Sequence, residues 1–136
     1  MKKRVLFLCT GNSCRSQMAE GWLKFLGGEN FEVFSAGIVA HGKNPRAIQV
    51  MSEAGVDISA QESEALAPEI LKQLDLLITV CGNADETCPT VPVTCEKQHW
   101  PFEDPAKARG SEEEIMDEFR AVRDQIKGRI ALYLKG

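Results

Sequence analysis

Cys9 and Arg15 lie six positions apart in Cys9-Thr10-Gly11-Asn12-Ser13-Cys14-Arg15-Ser16, between the apolar run Val5-Leu6-Phe7-Leu8 and a helix-like segment from Gln17 to Leu26. A thiol, five residues of little bulk and an arginine, set between a strand and a helix, describe a cradle for a tetrahedral oxyanion. The backbone N–H groups of such a loop converge on one point, and the helix N-terminus adds positive potential there. Arg15 can hold two of the anion's oxygens with its planar fork. The same field favours a thiolate, so Cys9 reads as a nucleophile and Thr10, Gly11, Asn12, Ser13, Cys14, Arg15 and Ser16 as its binding loop. The bland alternative is a buried strand-end cysteine beside an ordinary surface arginine. The strand before, the Gly-Asn-Ser filling and the helix after weigh against it. The stretch lacks the Gly-Lys-Ser/Thr ending of an ATP-binding phosphate loop, which disfavours a nucleotide site.

A second signal is Cys81 and Cys88 in Val80-Cys81-Gly82-Asn83-Ala84-Asp85-Glu86-Thr87-Cys88-Pro89. Cys81 ends an apolar run, which places it on the same sheet edge as Cys9. In one continuous helix the two would sit on one face about 10.5 Å apart along the axis, whereas a disulfide needs Cα atoms within about 7 Å. They can bond only if the segment bends or unwinds, and Gly82 and Pro89 permit that. Two structural thiols are the simple reading; with Cys9 present, a three-thiol relay explains more. Asp104, in Trp100-Pro101-Phe102-Glu103-Asp104-Pro105, is either a turn former or a general acid reaching the cradle from an extended loop. Cys14 is expected to pack beneath the loop and Cys95 to be a thiol at or near a strand end. His41 and His99 lack metal-ligand spacing, so no metal centre is expected from them. Ser35-Ala36-Gly37 could line one wall.

The elements that must position these residues are legible as periodicities. Strands are expected at Arg4–Cys9, Glu32–Ala36, Leu76–Val80 and Val93–Cys95; the first and third are near-continuous apolar runs, as in parallel strands covered on both faces. Met18, Trp22 and Leu26 mark a first helix. A second is expected from about Pro45 to Ala54, stopped by Gly55, and a short third near Pro68. Ser111 with Glu114 forms a capping box before a last helix, whose stripe is Ile115, Phe119, Val122, Ile126, Ile130 and Tyr133. The alternation predicts an α/β fold, a doubly wound four-stranded parallel sheet flanked by helices, in one domain spanning 1–136, with the site at the carboxyl ends of the strands.

Composition narrows the function. The 136-residue chain is 43% hydrophobic and 26% charged, ordinary for a soluble globular protein. A net charge of −4 offers no broad basic surface for nucleic acid. No apolar stretch approaches membrane-spanning length, and the first is too short for a signal peptide, so a cytoplasmic monomer without membrane partners is expected. Five cysteines there point to chemistry rather than to a static disulfide framework, and an odd number cannot all pair within one molecule.

From Cys9 to Trp22 the chain resembles the thioredoxin-coupled arsenate reductases, which share the fold of the low-molecular-weight protein tyrosine phosphatases. The likeness continues through Ser35-Ala36-Gly37, Ala40-His41-Gly42, Asp57-Ile58-Ser59, Val80-Cys81-Gly82, Cys88-Pro89 and His99-Trp100-Pro101-Phe102-Glu103-Asp104-Pro105-Ala106. The resemblance implies that Cys9 attacks arsenic, Arg15 and the loop amides hold the oxyanion, Ser16 supports the thiolate and Asp104 protonates the departing oxygen. It implies further that Cys81 attacks Cys9 and releases arsenite, that Cys88 then takes Cys81 into a redox disulfide, and that thioredoxin reduces the Cys81–Cys88 pair. No tightly bound cofactor is implied. Some members bind potassium beside the loop, at positions matching Asn12, Glu20, Ser35 and Glu64; the family has aspartate where Glu64 stands. Pro101 and Cys95 are two further departures. The leading alternative is a phosphatase using Cys9, Arg15 and Asp104 on a phosphomonoester; it needs no Cys81 or Cys88, and Ala106-Lys107-Ala108-Arg109-Gly110 lacks the tyrosines that flank aryl substrates. A third is a non-enzymatic oxyanion-binding or redox-sensing module, which leaves Asp104 unexplained.

Overall fold

A computed structural model of the chain describes residues 2–81 and 95–136. Its four strands are β1 (Lys3–Cys9), β2 (Phe31–Gly37), β3 (Leu76–Cys81) and β4 (Glu96–Phe102). They form one parallel sheet in the order β2-β1-β3-β4. The two most apolar strands are central: residues 5–9 of β1 and all six residues of β3 are buried. Strand order reverses between β1 and β3, the crevice where ligands of doubly wound sheets bind. Cys9 and Cys81 end the two strands that flank it.

The fourth strand departs from expectation. It runs from Glu96 to Phe102, downstream of the expected Val93–Cys95; Cys95 immediately precedes it, and Val93 and Thr94 lie outside the described residues. Its sequence, Glu96-Lys97-Gln98-His99-Trp100-Pro101-Phe102, is too polar to read as a buried strand because it is an edge. Only Trp100 and Phe102 are buried, and the charges face solvent as edge strands require. Trp100 anchors it, its ring 5.9 Å from Phe7 and 5.8 Å from Tyr133. The pairing with β3 slips between Thr79 and Cys81, so Phe102 faces Cys81. Pro101, which has no N–H to give, falls in that irregular stretch, where an edge strand tolerates it.

Helices α1 (Arg15–Gly27), α2 (Pro45–Glu53), α3 (Pro68–Leu71) and α4 (Glu112–Lys135) complete the fold. The main core lies on the sheet face carrying Val5, Phe7, Leu76 and Ile78, packed with Met18, Trp22 and Leu23 of α1, Val50 and Met51 of α2, and Phe119, Ile126 and Ile130 of α4. A smaller core on the other face joins Leu6, Leu8 and Leu77 to Leu66, Ile70 and Cys95. Ser111 and Glu114 form the expected reciprocal capping box at the start of α4. Arg46 pairs with Glu112, and Arg120 with Glu53, fastening α2 to α4. Among the described residues, no helix is long and apolar enough to cross a membrane.

The end of β2 shows why the chain there has glycine. A Cβ on Gly37 would lie 2.7 Å from the main-chain oxygens of Thr10 and Val39 and 2.8 Å from the amide nitrogen of Asn12. None of these backbone atoms can swing aside. Gly128, in the interior of α4, has nothing within 4 Å of the same point. Gly37→Ala is therefore expected to cost at least about 2 kcal/mol in urea unfolding, and Gly128→Ala to add about 0.5–1 kcal/mol. Equal responses at the two sites would refute this account.

Candidate active site

The loop from Cys9 to Arg15 is shaped by a strap, residues 38–44, that follows β2. Four strap amides donate to loop carbonyls: Ile38 and Val39 to Thr10 O (2.9 and 3.2 Å), His41 to Gly11 O (3.0 Å) and Asn44 to Ser13 O (3.0 Å). A peptide whose carbonyl is drawn outward presents its N–H on the opposite side, so the strap leaves loop amides to face inward. Asn12 takes the turn at φ 50°, a left-handed conformation that asparagine tolerates better than most residues. The His41 ring covers Gly11 so closely that a Cβ there would overlap its Nδ1. Cys14, the N-cap of α1, makes no side-chain capping bond. The N-terminus of α1 thus opens directly onto the loop, the usual setting of an anion site.

Cys9 sits in this loop with 3% exposure. Its Sγ accepts the Asn12 N–H at 3.2 Å and lies 3.0 Å from Ser16 Oγ. Ser16 Oγ also donates to Asn12 Oδ1 at 2.7 Å. A hydroxyl has one proton, so while Ser16 gives it to Asn12, Cys9 must be the donor in the pair. Ser16 can join the Asn12 N–H in donating to the Cys9 sulfur only when it turns its proton away from Asn12. Behind them the fully buried Gln17 donates to Asn12 O (3.2 Å) and Glu62 O (2.9 Å), and Gln61 in turn donates to Gln17 O and Oε1. Sequence reading missed Gln17 and Gln61. Its place in the first turn of α1, directly after the loop, is the signal that could have found Gln17.

Arg15 is 4% exposed and is steered from the end of β4. Its Nη1 donates to Phe102 O at 3.0 Å, and its Nη2 lies 3.9 Å from Asp104 Oδ2. Asp104 Oδ1 accepts the Ala106 N–H at 3.0 Å, capping the short 3-10 turn Pro105–Lys107. The turn-forming and cradle-facing readings of Asp104 are thus compatible: one oxygen serves each.

The four positions tied by resemblance to potassium also converge. Glu20, Ser35 and Glu64 line a cavity of about 240 Å³ beside the loop. Asn12 reaches the set through its amide, which donates to the main-chain carbonyls of Ser35 (3.5 Å) and Glu64 (3.4 Å). Carboxylate, hydroxyl and carbonyl oxygens are the donors a hard cation takes, so Glu20, Ser35 and Glu64 fit one, whereas Asn12 turns its side-chain N–H to the Ser35 and Glu64 carbonyls and its Oδ1 to Ser16. Lys24 already places its ammonium on Glu20 Oε2, while Ser35 Oγ donates to Glu20 Oε1. Among the described residues no group of three or more His, Cys, Asp or Glu is placed to hold a metal ion.

The remaining cysteines occupy different settings. Cys9, Cys14 and Cys95 are free, whereas Cys81 is disulfide-bonded. Cys88 lies outside the described residues. Cys14 is buried beneath the loop, and burial pushes its thiol up to about 12, against a smaller opposing effect of the Ser13 hydroxyl. His99 pairs with Thr79 Oγ1 at 2.7 Å on the sheet. For Cys14, alkylation by iodoacetamide at pH 8 is expected to be about a thousandfold slower in the native than in the urea-unfolded protein, following the thiolate fraction. Comparable rates, measured by mass spectrometry, would show that burial does not protect it.

Comparison with known proteins agrees with this geometry. Residues 4–135 match the low molecular weight phosphotyrosine protein phosphatase family. An arsenate reductase of Bacillus licheniformis is 56% identical over 129 residues, covering 95% of this chain and 93% of that protein. A solved arsenate reductase in the reduced state superposes with a TM-score of 0.80 at 37% identity, covering 99% of this chain and 98% of that one. A thioredoxin-dependent arsenate reductase of Corynebacterium glutamicum superposes at 0.64 with 28% identity, covering 97% of this chain and 63% of that one. The chain therefore belongs to the low molecular weight phosphotyrosine protein phosphatase family and, within it, groups with the arsenate reductases.

Proposed function

We propose that this chain reduces arsenate to arsenite through Cys9, Cys81 and Cys88, with thioredoxin as the reductant. The observation that carries the reading is the pairing of β1 with β3. Leu8 is level with Thr79, so Cys9 and Cys81 end neighbouring strands one residue out of step, while Cys9 is free and Cys81 disulfide-bonded. The family resemblance pairs Cys81 with Cys88, which lies outside the described residues. That pattern is the one expected of a relay after the oxidised state has moved away from the nucleophile.

In this reading the amides of Thr10 to Ser16 and the Arg15 fork hold the tetrahedral anion. The Cys9 thiolate forms a bond to arsenic, and Asp104 protonates the oxygen that leaves as water. Cys81 then attacks the Cys9 sulfur: a sulfur–sulfur bond forms, the sulfur–arsenic pair stays with arsenic, and arsenite departs two electrons richer. Cys88 attacks Cys81, freeing Cys9, and thioredoxin reduces the Cys81–Cys88 bond by exchange. Potassium, when bound, would be held by oxygens of Glu20, Ser35 and Glu64, with Asn12 bracing the Ser35 and Glu64 carbonyls, and would supply positive charge beside the loop. The chain acts as one domain and a monomer, in the cytoplasm, where thioredoxin is kept reduced.

Hydrolysis of phosphomonoesters is a second activity that the same cradle supports, because Arg15 and Asp104 stand together at its mouth. The two separate by mutation. With thioredoxin, thioredoxin reductase and NADPH, Cys9→Ser, Cys81→Ser and Cys88→Ser are each expected to abolish multiple turnover of arsenate. Arg15→Lys, which loses the fork, should lower kcat/KM about a hundredfold. Hydrolysis of p-nitrophenyl phosphate should vanish only in Cys9→Ser and survive in the other two cysteine variants. Full thioredoxin-linked turnover in Cys81→Ser or Cys88→Ser would overturn the relay.

A further inference from the structure

We propose that Lys24 is a tethered cation of the Glu20 site and competes with potassium for the Glu20 carboxylate. Glu20 lies on the inward side of α1, its side chain 10% exposed. A carboxylate so far from water needs a charge partner and hydrogen bonds. It has both: the Ser35 hydroxyl donates to Oε1, and the Lys24 ammonium, one helical turn on, sits on Oε2. An ammonium group and a potassium ion carry the same charge and are of similar size, so the same carboxylate oxygen cannot serve both at full strength.

Two features make the competition open rather than decided. Lys24 is 48% exposed and enters from the solvent side on a flexible stem, so it can withdraw into water at little cost. Glu62 and Glu64 line the same cavity, so acidic residues outnumber the one lysine there. Lys24 thereby gives the Glu20 and Ser35 corner a cation when potassium is scarce, and weakens potassium when it is abundant. Ser35 is one residue from Ala36 and two from Gly37, whose contacts with Thr10 and Asn12 define the cradle wall, so the state of this corner bears on the loop.

The test reads cation binding rather than turnover, and so stands apart from the reductase reading. Thermal unfolding of the full chain is followed as potassium chloride replaces choline chloride at fixed ionic strength, and the potassium dissociation constant is taken from the shift. Lys24→Met and Lys24→Gln are each expected to bind potassium about fivefold more tightly than the unmodified chain, the order set by a part-exposed ion pair. Lys135→Met, which removes the same charge at the end of α4, should leave the constant unchanged. Unaltered or weaker binding in the Lys24 variants would overturn the proposal. So would equal tightening in Lys135→Met, which would mark a net-charge effect, or the lack of any potassium-specific shift in all of the proteins. Should Lys24→Met fail to fold, Lys24→Gln alone decides.

Discussion

The structure depends on how one seven-residue loop, Cys9 to Arg15, satisfies its own main chain. Every peptide there carries a donor and an acceptor, and a site for an anion requires the donors to face one way. The strap after β2 accomplishes this by occupying acceptors, with amides of Ile38, Val39, His41 and Asn44 on the carbonyls of Thr10, Gly11 and Ser13. The strap in turn depends on Gly37, where any side chain would strike backbone on both sides. The residues that shape the cradle are therefore largely not those that would touch what it holds.

Much of this was legible in the sequence, for reasons that differ by element. Apolar runs marked β1 and β3 because central parallel strands are buried on both faces, and the capping box marked α4 because it satisfies two donors locally. Cys9, Arg15 and the residues between were legible because loop, strand and helix signals agree at one place. β4 was misplaced because an edge strand has only half a pattern to show, in Trp100 and Phe102. The strap was invisible because its work is done by main-chain amides, which carry no residue code. Gln17 and Gln61 escaped for a related reason: their partners are main-chain carbonyls and each other.

The cysteines show how environment outweighs residue type. Cys9 and Cys14 lie in one loop, both nearly inaccessible, yet Cys9 faces an amide donor and a hydroxyl, whereas Cys14 is held as a thiol by burial. Cys95 joins the smaller core as a hydrophobic residue would. Cys81, at the end of β3, stands opposite Phe102 in the register with β4.

The strap has a final consequence for how such a loop can change. Its bonds to residues 10, 11 and 13 index the loop one peptide at a time. Substitution at these positions leaves the indexing intact, since it is read from the backbone. Adding or deleting a single residue would instead put each strap amide opposite the wrong carbonyl, and would turn inward-facing donors outward. The diameter of the cradle is thus a discrete quantity, fixed by a count of residues and not adjustable by degrees. Selectivity among anions of the same size must then come from groups at the mouth or from the chemistry that follows binding.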